Sequence, residues 1–358
     1  MRISFVLDCF GGGGKERRCL QLIQGLNKQG YNDILVVIIN DDVAYQELYN
    51  TTADVRIIDR KNRGLSFFKT LKEVRLLFKS FKPDIVQTWG GISTLLPIIL
   101  KPLFGYNLIG AYVADANKIK RLSLFSLFPF FCDKIVGNSK IGLDAYRVPS
   151  KKAILIYNGF NEKRLKCNLD KNEKKQSLEI YTQYVVAMIA SFGKNKDWNC
   201  YLNAAKLIMK KRQDITFLAV GTGVMWDQIN RSVTESERNN IKMLGRRDDV
   251  DELLQICDLT VLTSNHGEGI SNSILESMAF GVPVIATNKG GTPEIVDEGK
   301  NGLLLQENNP DVLADKIINL INNREDIQAM SDKAAETIRT HFMLSVMTQR
   351  YIDLYKSV

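Results

Sequence analysis

The sequence has little of what metal centres and catalytic triads require. Only two of its 358 residues are histidine, His266 and His341, and they are too far apart for an HExxH zinc motif. Any Ser-His-Asp triad would have to use one of these two. The six cysteines are scattered without a CxxC spacing, so we expect reduced core residues, with no disulfide and no metal site. The chemistry must therefore rest on carboxylates, lysines and backbone amides.

Long apolar runs are also missing. No window approaches 18 consecutive apolar residues, so no membrane span is predicted. The opening MRISFVLDCFGGGG has one Arg before a short apolar run that leads into glycines, which is typical of a first strand rather than of a secretion signal. With 45% hydrophobic and 25% charged residues, the composition is that of a soluble globular protein. We therefore expect a cytoplasmic protein.

The positive charge lies mainly in the first half of the chain. Residues 1–170 hold 26 Lys and Arg against 15 Asp and Glu, a net charge of +11, whereas residues 171–358 have a net charge of −3. This asymmetry predicts that the first half faces an anionic partner, such as nucleic acid, a membrane surface or a phosphorylated acceptor. Nucleic acid is disfavoured because no known readout motif accompanies the charge.

Short β-rich runs alternate with helical segments along the whole chain. Examples are ISFVL, DILVVII, YVVAMIASF, ITFLAVG and LTVLTS. The alternation predicts stacked βαβ units with parallel sheets. A charged stretch at 161–181 without apolar periodicity marks a boundary. We predict an α/β chain of two Rossmann-like domains, residues 1–165 and 180–340, that face a central cleft, with a C-terminal helix at 341–358 that can pack back toward the first domain.

The strongest local signal is the segment EGISNSILESMAFGVPVIAT at 268–287. A strand, a turn with glycine and a helix start form an anion site, because free backbone N–H groups and the helix dipole point at the ligand. Glu276 suits a ribose diol and Glu268 suits a sugar beyond the phosphates, since carboxylates accept several hydrogen bonds. An alternative is structural, because Ser273 and Glu276 also fit a capping box. The predicted contacts are Glu268, Gly269, Ile270, Ser271, Asn272 and Glu276.

This segment is similar to the Glu-x7-Glu motif of retaining family 4 glycosyltransferases (group 1, GT-B fold). The resemblance continues in family order to Leu305 through GGTPEIVDEGKNGLLL, and the segments NSKIGLDAY, IYNGFN and GRRDDVDELLQICDLTVLTS agree with it. It implies a retaining hexosyltransferase that needs no cofactor and takes a nucleotide diphosphate sugar as donor. The implied acceptor is a glycan or a lipid-linked sugar in the assembly of capsule, O-antigen or exopolysaccharide.

The loop GGGGKERRCL near the start resembles the family's Gly-Gly-x-Glu-Arg loop. The resemblance implies that Gly13 and Gly14 let the backbone approach the donor phosphate and that Arg17 lies on the acceptor side. The loop is not a G-x-G-x-x-G fingerprint, because Glu16 is the third residue after Gly13. This speaks against a nicotinamide-dependent dehydrogenase, which two Rossmann-like units would otherwise permit.

Two departures from the family pattern concern charge near the donor. Lys196 falls at the family's phosphate-neutralising lysine, but Ser191 stands where arginine is usual, and Lys194 is a candidate replacement. Residues 1–170 contain no histidine, and Asp115 is the nearest polar candidate by position, with a turn residue as the alternative. These departures leave open a non-catalytic GT-B protein that binds nucleotide or glycan. A front-face mechanism tolerates them, because the departing phosphate then takes the acceptor proton.

Asp249 and Asp251 form a D-x-D string that would hold a metal in another glycosyltransferase fold class. Because they precede the predicted helix VDELLQIC, we interpret them as its cap and first-turn acids and predict no divalent-metal requirement.

Two basic segments in the first domain have apolar residues between or after their cations. They are either ordinary helices with one solvated face or contacts with an anionic inner membrane surface. In the first segment, cations recur at helical spacing at Lys69, Lys72, Arg75, Lys79 and Lys82. In the second segment, Lys118, Lys120 and Arg121 precede a Leu- and Phe-rich run that ends at Phe131.

Overall fold

The computed structural model describes residues 1–11, 13–112, 127–145, 147–166, 169–267 and 269–358. The chain divides into two compact units. Unit 1 comprises Met1–Gly159 together with Leu344–Val358, and unit 2 comprises Phe160–Met343. Each unit is a parallel sheet with helices, so the prediction of two Rossmann-like α/β domains is confirmed.

Unit 1 is built on a seven-stranded parallel sheet with the order β3-β2-β1-β4-β5-β6-β7. All five residues of β1 and of β2 are buried, which explains their continuous Val, Ile and Leu runs, because helices cover both faces of such a sheet. The strands are β1 Ile3–Leu7, β2 Ile34–Ile38, β3 Asp54–Ile57, β4 Ile85–Thr88, β5 Asn107–Tyr112, β6 Lys134–Gly137 and β7 Ala153–Leu155.

The helices of unit 1 include the last helix of the chain. Tyr351 on this helix accepts a hydrogen bond from Arg18 Nη2 at 2.7 Å, and Tyr355 Oη donates to Gln87 Oε1 at 2.5 Å. Both tyrosines are buried in the core of unit 1. The helices are α1 Gly14–Lys28, α2 Phe67–Phe81, α3 Ile92–Phe104, α4 Phe128–Phe131, α5 Lys140–Ala145 and, after unit 2, α13 Leu344–Lys356.

Unit 2 contains a six-stranded parallel sheet with the order β10-β9-β8-β11-β12-β13. The strands are β8 Tyr184–Ile189, β9 Ile215–Val220, β10 Ile241–Gly245, β11 Leu259–Leu262, β12 Val284–Thr287 and β13 Gly302–Leu305. The helices are α6 Lys171–Ser177, α7 Trp198–Met209, α8 Trp226–Arg231, α9 Val250–Ile256, α10 Asn272–Ala279, α11 Pro310–Asn322 and α12 Arg324–His341.

The strand order of each sheet reverses at its first strand. In unit 2 the chain moves outward from β8 through β9 to β10 and then returns to β11 on the other side of β8. Open α/β sheets bind ligands at such a switch point, beyond the carboxyl ends of the strands. The loops that follow β8 and β11 are therefore where a ligand of unit 2 is expected.

Helix α2 has the amphipathic character that its sequence predicts. Thr70, Val74 and Phe78 are buried against unit 1. Within the described ranges, no helix combines the length and apolar character needed to cross a bilayer. The five cations Lys69, Lys72, Arg75, Lys79 and Lys82 are all exposed.

Candidate functional site

The loops after β8 and β11 are joined at the switch point of unit 2. The Asn265 amide donates to Asn195 O at 2.8 Å, and Lys196 forms a bridge with Ser264. Lys196 is only 8% exposed, and its Nζ donates to Ser264 Oγ at 3.3 Å. The structure thus places a largely buried ammonium group beside the carboxyl end of β11, where it can interact with an anion.

A polar scaffold surrounds this lysine. Asp197 accepts from the Cys200 amide at 3.0 Å, which caps α7, and its other oxygen accepts from Asn308 Nδ2 at 3.1 Å. Asn308 also donates to Ser264 O and accepts from Thr287 Oγ1 at 2.6 Å. The sequence analysis missed these residues. Ser264 ends the predicted strand LTVLTS, but Asp197 and Asn308 lie three or more residues beyond the nearest strand, so the strand pattern alone did not mark them.

The start of α10 is held by close backbone packing. A Cβ atom added to Gly291 would lie 2.8 Å from Ile270 N, and one added to Gly267 would lie 2.8 Å from Gly290 N. Gly267, Gly269 and Ile270 therefore pack on residues 289–291, with no room for a side chain at Gly267 or Gly291. Ile270 itself is buried, with 4% of its surface exposed.

Helix α10 begins at Asn272, directly after Ser271. Ser271 occupies the cap position, and its Oγ lies 3.0 Å from Ser273 Oγ. Within the described residues, the Ser271 side chain makes no capping hydrogen bond to the first turn of α10. Glu276 is then in the second turn rather than three residues after the cap, so the capping-box alternative for Ser273 and Glu276 is wrong. The helix start can offer its backbone N–H groups and positive dipole end to an anion.

Glu276 is held by an arginine that the sequence analysis did not single out. Arg164 Nη1 donates to Glu276 Oε1 at 2.7 Å, and the side chain of Glu276 is 14% exposed. The two residues are 112 positions apart in the chain. No local pattern could have paired them.

The two carboxylates of the D-x-D string are both paired with cations. Asp249 directly precedes α9 as predicted, but it accepts from Arg247 and Lys174 instead of capping the helix. The hydrogen bond from Arg247, with help from Lys174, holds the pKa of Asp249 well below its usual range. Asp251 accepts from Arg164. Across the described part of the chain, no group of three or more His, Cys, Asp or Glu could hold a metal ion.

The remaining predicted residues lie in unit 1 or outside the described residues. Gly13 occupies the cap position of α1 and Gly14 begins the helix, at the carboxyl end of β1. The amide of Arg17 donates to Gly13 O at 3.1 Å. Lys196 contacts Ser264 after β11, and the residues that follow this strand include Gly269, Ile270 and Ser271 before α10 and Asn272 and Glu276 on it. Glu268 and Asp115, and Lys118, Lys120 and Arg121 of the second basic segment, lie outside the described residues.

The site of unit 2 thus combines a doubly wound sheet, an open helix N-terminus, a buried lysine and a carboxylate. These features are typical of domains that bind nucleotide phosphates. Residues 170–337 match the model of the family described as glycosyl transferases group 1. This match lies within unit 2 and agrees with the group 1 resemblance of the sequence.

Two curated relatives illustrate how far the similarity extends. An uncharacterized glycosyltransferase of Methanocaldococcus jannaschii is 32% identical over 62% of this chain and 58% of its own length. The chain thus spans less than two thirds of that relative. The lipopolysaccharide core biosynthesis glycosyltransferase LpsE of Rhizobium meliloti is 23% identical over 96% of both chains.

Solved structures agree with the predicted fold. HepE of Anabaena in complex with UDP matches this chain with a TM-score of 0.85 and 21% identity, over 100% of both chains. The same protein was also solved with UDP-glucose, and that structure matches with a TM-score of 0.81. At this identity the likeness concerns the fold, which is GT-B as the sequence predicted.

Proposed function

We propose that the protein is a retaining glycosyltransferase that moves a sugar from a nucleotide diphosphate sugar to an acceptor. The observation that carries the proposal is the arrangement at the carboxyl ends of β8 and β11. Lys196 follows β8 and contacts Ser264 after β11, and the next helix along the chain, α10, carries Glu276. The group 1 family match and the UDP complexes of HepE support it.

Each part of the donor has a proposed partner. The backbone N–H groups from Gly269 to Asn272 and the Lys196 ammonium bind the diphosphate. Glu276 accepts hydrogen bonds from the ribose hydroxyls, and Glu268 binds the sugar. Gly13 and Gly14 of unit 1 approach the phosphate.

The proposed reaction is a front-face substitution. The bond between the anomeric carbon and the phosphate oxygen breaks, and a bond from the acceptor oxygen forms on the same face of the sugar. The acceptor proton goes to the departing phosphate oxygen, so no separate base is needed. Lys196 stabilises the charge that develops on the phosphate, and no divalent metal is required.

The acceptor belongs, in this proposal, to bacterial surface-polysaccharide assembly. The name of LpsE, which aligns over almost the whole chain, supports this setting. We propose that the unit formed mainly by residues 1–165 binds a glycan or lipid-linked acceptor, with Arg17 and Asp115 on the acceptor side. The domain at 180–340 binds the donor.

We also propose that the enzyme is cytoplasmic and docks on an anionic membrane surface through α2. The four exposed cations of α2, with Lys82 directly after the helix, are interleaved with Phe68 and Leu76, which are 78% and 57% exposed. An exposed Phe among lysines is typical of a helix that lies at a membrane interface.

A thermal-shift panel of nucleoside diphosphates and their sugars tests the proposed donor site. A ligand at 100 times its dissociation constant stabilises the folded protein by roughly 2.7 kcal/mol, which is readily measured. We expect one nucleoside diphosphate, with UDP first among the candidates, to raise the melting temperature. Stabilisation by NAD in place of every nucleoside diphosphate would contradict the proposal and favour a dehydrogenase.

A further inference from the structure

The first residues of unit 2 are fixed next to α10. The Phe160 amide donates to Phe342 O at 2.7 Å, and the ring of Phe160 meets Phe280 edge-on at 6.0 Å, directly after the last residue of α10. A short 3-10 turn follows at Glu162–Leu165, where the side chain of Asn161 accepts from the Lys163 amide at 3.2 Å. The turn places Arg164 over the two helices α9 and α10.

The Arg164 guanidinium joins three groups. It lies over the ring of Phe160 at 5.1 Å from the centroid, and its Nε donates to both oxygens of Asp251 at 3.1 Å. Its Nη1 donates to Glu276 Oε1. An arginine bound in this way is restrained by its planar fork and by the ring beneath it. It therefore presents Nη1 to Glu276 from a defined direction.

The contact has the properties of a strong ion pair. The Arg164 and Glu276 side chains are 21% and 14% exposed, so water screens them little. Burial alone would lower the pKa of Arg164, but the hydrogen bonds and charges of Asp251 and Glu276 outweigh it and raise that pKa. The guanidinium is thus charged at every working pH. A carboxylate has about four acceptor positions, so Glu276 can accept several hydrogen bonds at once.

We infer that Arg164 is a positioning residue for the donor nucleotide, because it fixes the Glu276 carboxylate in the orientation that accepts the two ribose hydroxyls. The inference rests on the proposed function, in which Glu276 binds the ribose. An untethered Glu side chain would lose rotamer freedom on binding, and Arg164 removes that cost in advance.

The ion pairs of Lys174 make it possible to distinguish this positioning role from a role in attaching the chain to α9. Lys174 Nζ donates to Asp249 and to Glu252 Oε2, so α6 is already tied to the start of α9. Arg164 differs because it also reaches Glu276 on α10. Lys174→Met is therefore a matched control, since it removes a buried cation from the same helix start without touching Glu276.

The test uses calorimetric titration of the full-length protein with UDP and with 2′,3′-dideoxy-UDP, which lacks the ribose diol. We expect Arg164→Met to weaken UDP binding about tenfold, because it releases one charge-assisted hydrogen bond that orients the acceptor. Its affinity for the dideoxy analogue should stay within about twofold. Lys174→Met should leave both affinities unchanged.

A double substitution distinguishes positioning from general damage. With Glu276→Ala already present, Arg164→Met should cost no further UDP affinity, because the two residues act through one contact. Arg164→Lys keeps the charge but not the fork, so it serves as a second, milder variant and should give an intermediate loss for UDP only. Melting temperatures report whether each variant is folded.

The outcomes that overturn the inference differ from those that overturn the proposed function. Equal losses for UDP and dideoxy-UDP in Arg164→Met and Arg164→Lys, or unchanged UDP affinity in both, would overturn the positioning role alone. Unchanged UDP affinity in Glu276→Ala, or no UDP binding by the unsubstituted protein, would overturn the proposed donor site and the inference with it.

Discussion

At the scale of single residues, the proposed donor site depends on Glu276. We expect Glu276→Ala to weaken nucleoside diphosphate binding, because it removes a charged acceptor for two hydroxyls at roughly 1.5 to 3 kcal/mol per bond. Titration calorimetry with UDP or GDP measures the change. Glu252→Ala is the control, since Glu252 pairs with Lys174 on the neighbouring helix. An unaltered affinity in folded Glu276→Ala would contradict the proposed contact with the ribose.

Lys196 and Glu268 are expected to act on the reaction more than on binding. Lys196→Ala should lower turnover about a hundredfold, because its charge opposes the charge that develops on the phosphate. Glu268→Gln should also lower turnover far more than affinity for the nucleotide product, since its proposed contacts are with the sugar.

Comparison of kcat with the dissociation constant of the product tests both residues. Lys210→Ala provides the control, because Lys210 is exposed directly after α7, and Lys194→Ala tests the candidate replacement for the missing arginine. A wild-type kcat in either variant would remove that residue from the site. An equal loss in Lys194→Ala would show that Lys194 supplies the charge missing at Ser191.

Some of these residues could be found in the sequence and others could not. Glu276 stands out because it lies on a helix that follows a recognisable strand and turn, and Lys196 stands out because it falls at the lysine position of the family that the sequence resembles. Arg164 does not, because its role depends on the tertiary contact between the 3-10 turn and α10. Ser273 was offered as a cap because the sequence does not fix a helix start to the residue, and Ser271 proved to hold that position.

At the scale of elements, the loop before α10 needs its glycine neighbours. Gly291→Ala would force a methyl group to within 2.8 Å of Ile270 N and 2.9 Å of Gly269 C. The loop must move, so we expect a loss of about 1 to 3 kcal/mol in the free energy of unfolding. UDP affinity should fall as well. Denaturant unfolding and UDP titration measure the two effects, and wild-type values in both would contradict the close packing described here.

Helix α2 carries the membrane prediction. Attraction to an anionic surface contributes about 1 kcal/mol per Lys or Arg and weakens with ionic strength. We therefore expect the protein to cosediment with vesicles of phosphatidylcholine and phosphatidylglycerol at low salt and to detach at high salt. Changing Lys69, Lys72 and Lys79 to Glu should abolish binding.

A matched control separates this surface from net charge. Lys210, Lys211 and Lys333 are exposed in unit 2, and changing them to Glu alters the net charge by the same amount. We expect that variant to bind vesicles as the unsubstituted protein does. The prediction fails if the unsubstituted protein stays in the supernatant at low salt, or if the α2 variant still sediments.

At the scale of the whole molecule, the alternating β and α segments predicted the two parallel sheets correctly. Continuous apolar strands such as β1 and β8 follow from burial on both faces, which the sequence displays directly. The sequence pattern specified less clearly that α13 packs on unit 1. This packing depends on buried side-chain contacts, such as that between Tyr351 and Arg18, which are 333 positions apart.

The charge distribution also belongs to this scale. The strongly basic first half and the weakly acidic second half agree with different proposed partners, an anionic acceptor surface for one and a nucleotide held by local groups for the other. In unit 2 the cations Lys196 and Arg164 each make a defined contact, with Ser264 and with Glu276.

The most direct test of the central claim is release of nucleoside diphosphate from nucleotide sugars by the purified protein. Each sugar nucleotide would be incubated with the protein in the presence of EDTA, with and without a lipid-linked acceptor fraction from a bacterial envelope. The account predicts release from one donor, faster with acceptor, with the anomeric configuration of the donor kept in the product and loss of activity in Lys196→Ala. No release from any donor, with UDP still bound, would contradict catalysis and favour a protein that only binds nucleotide.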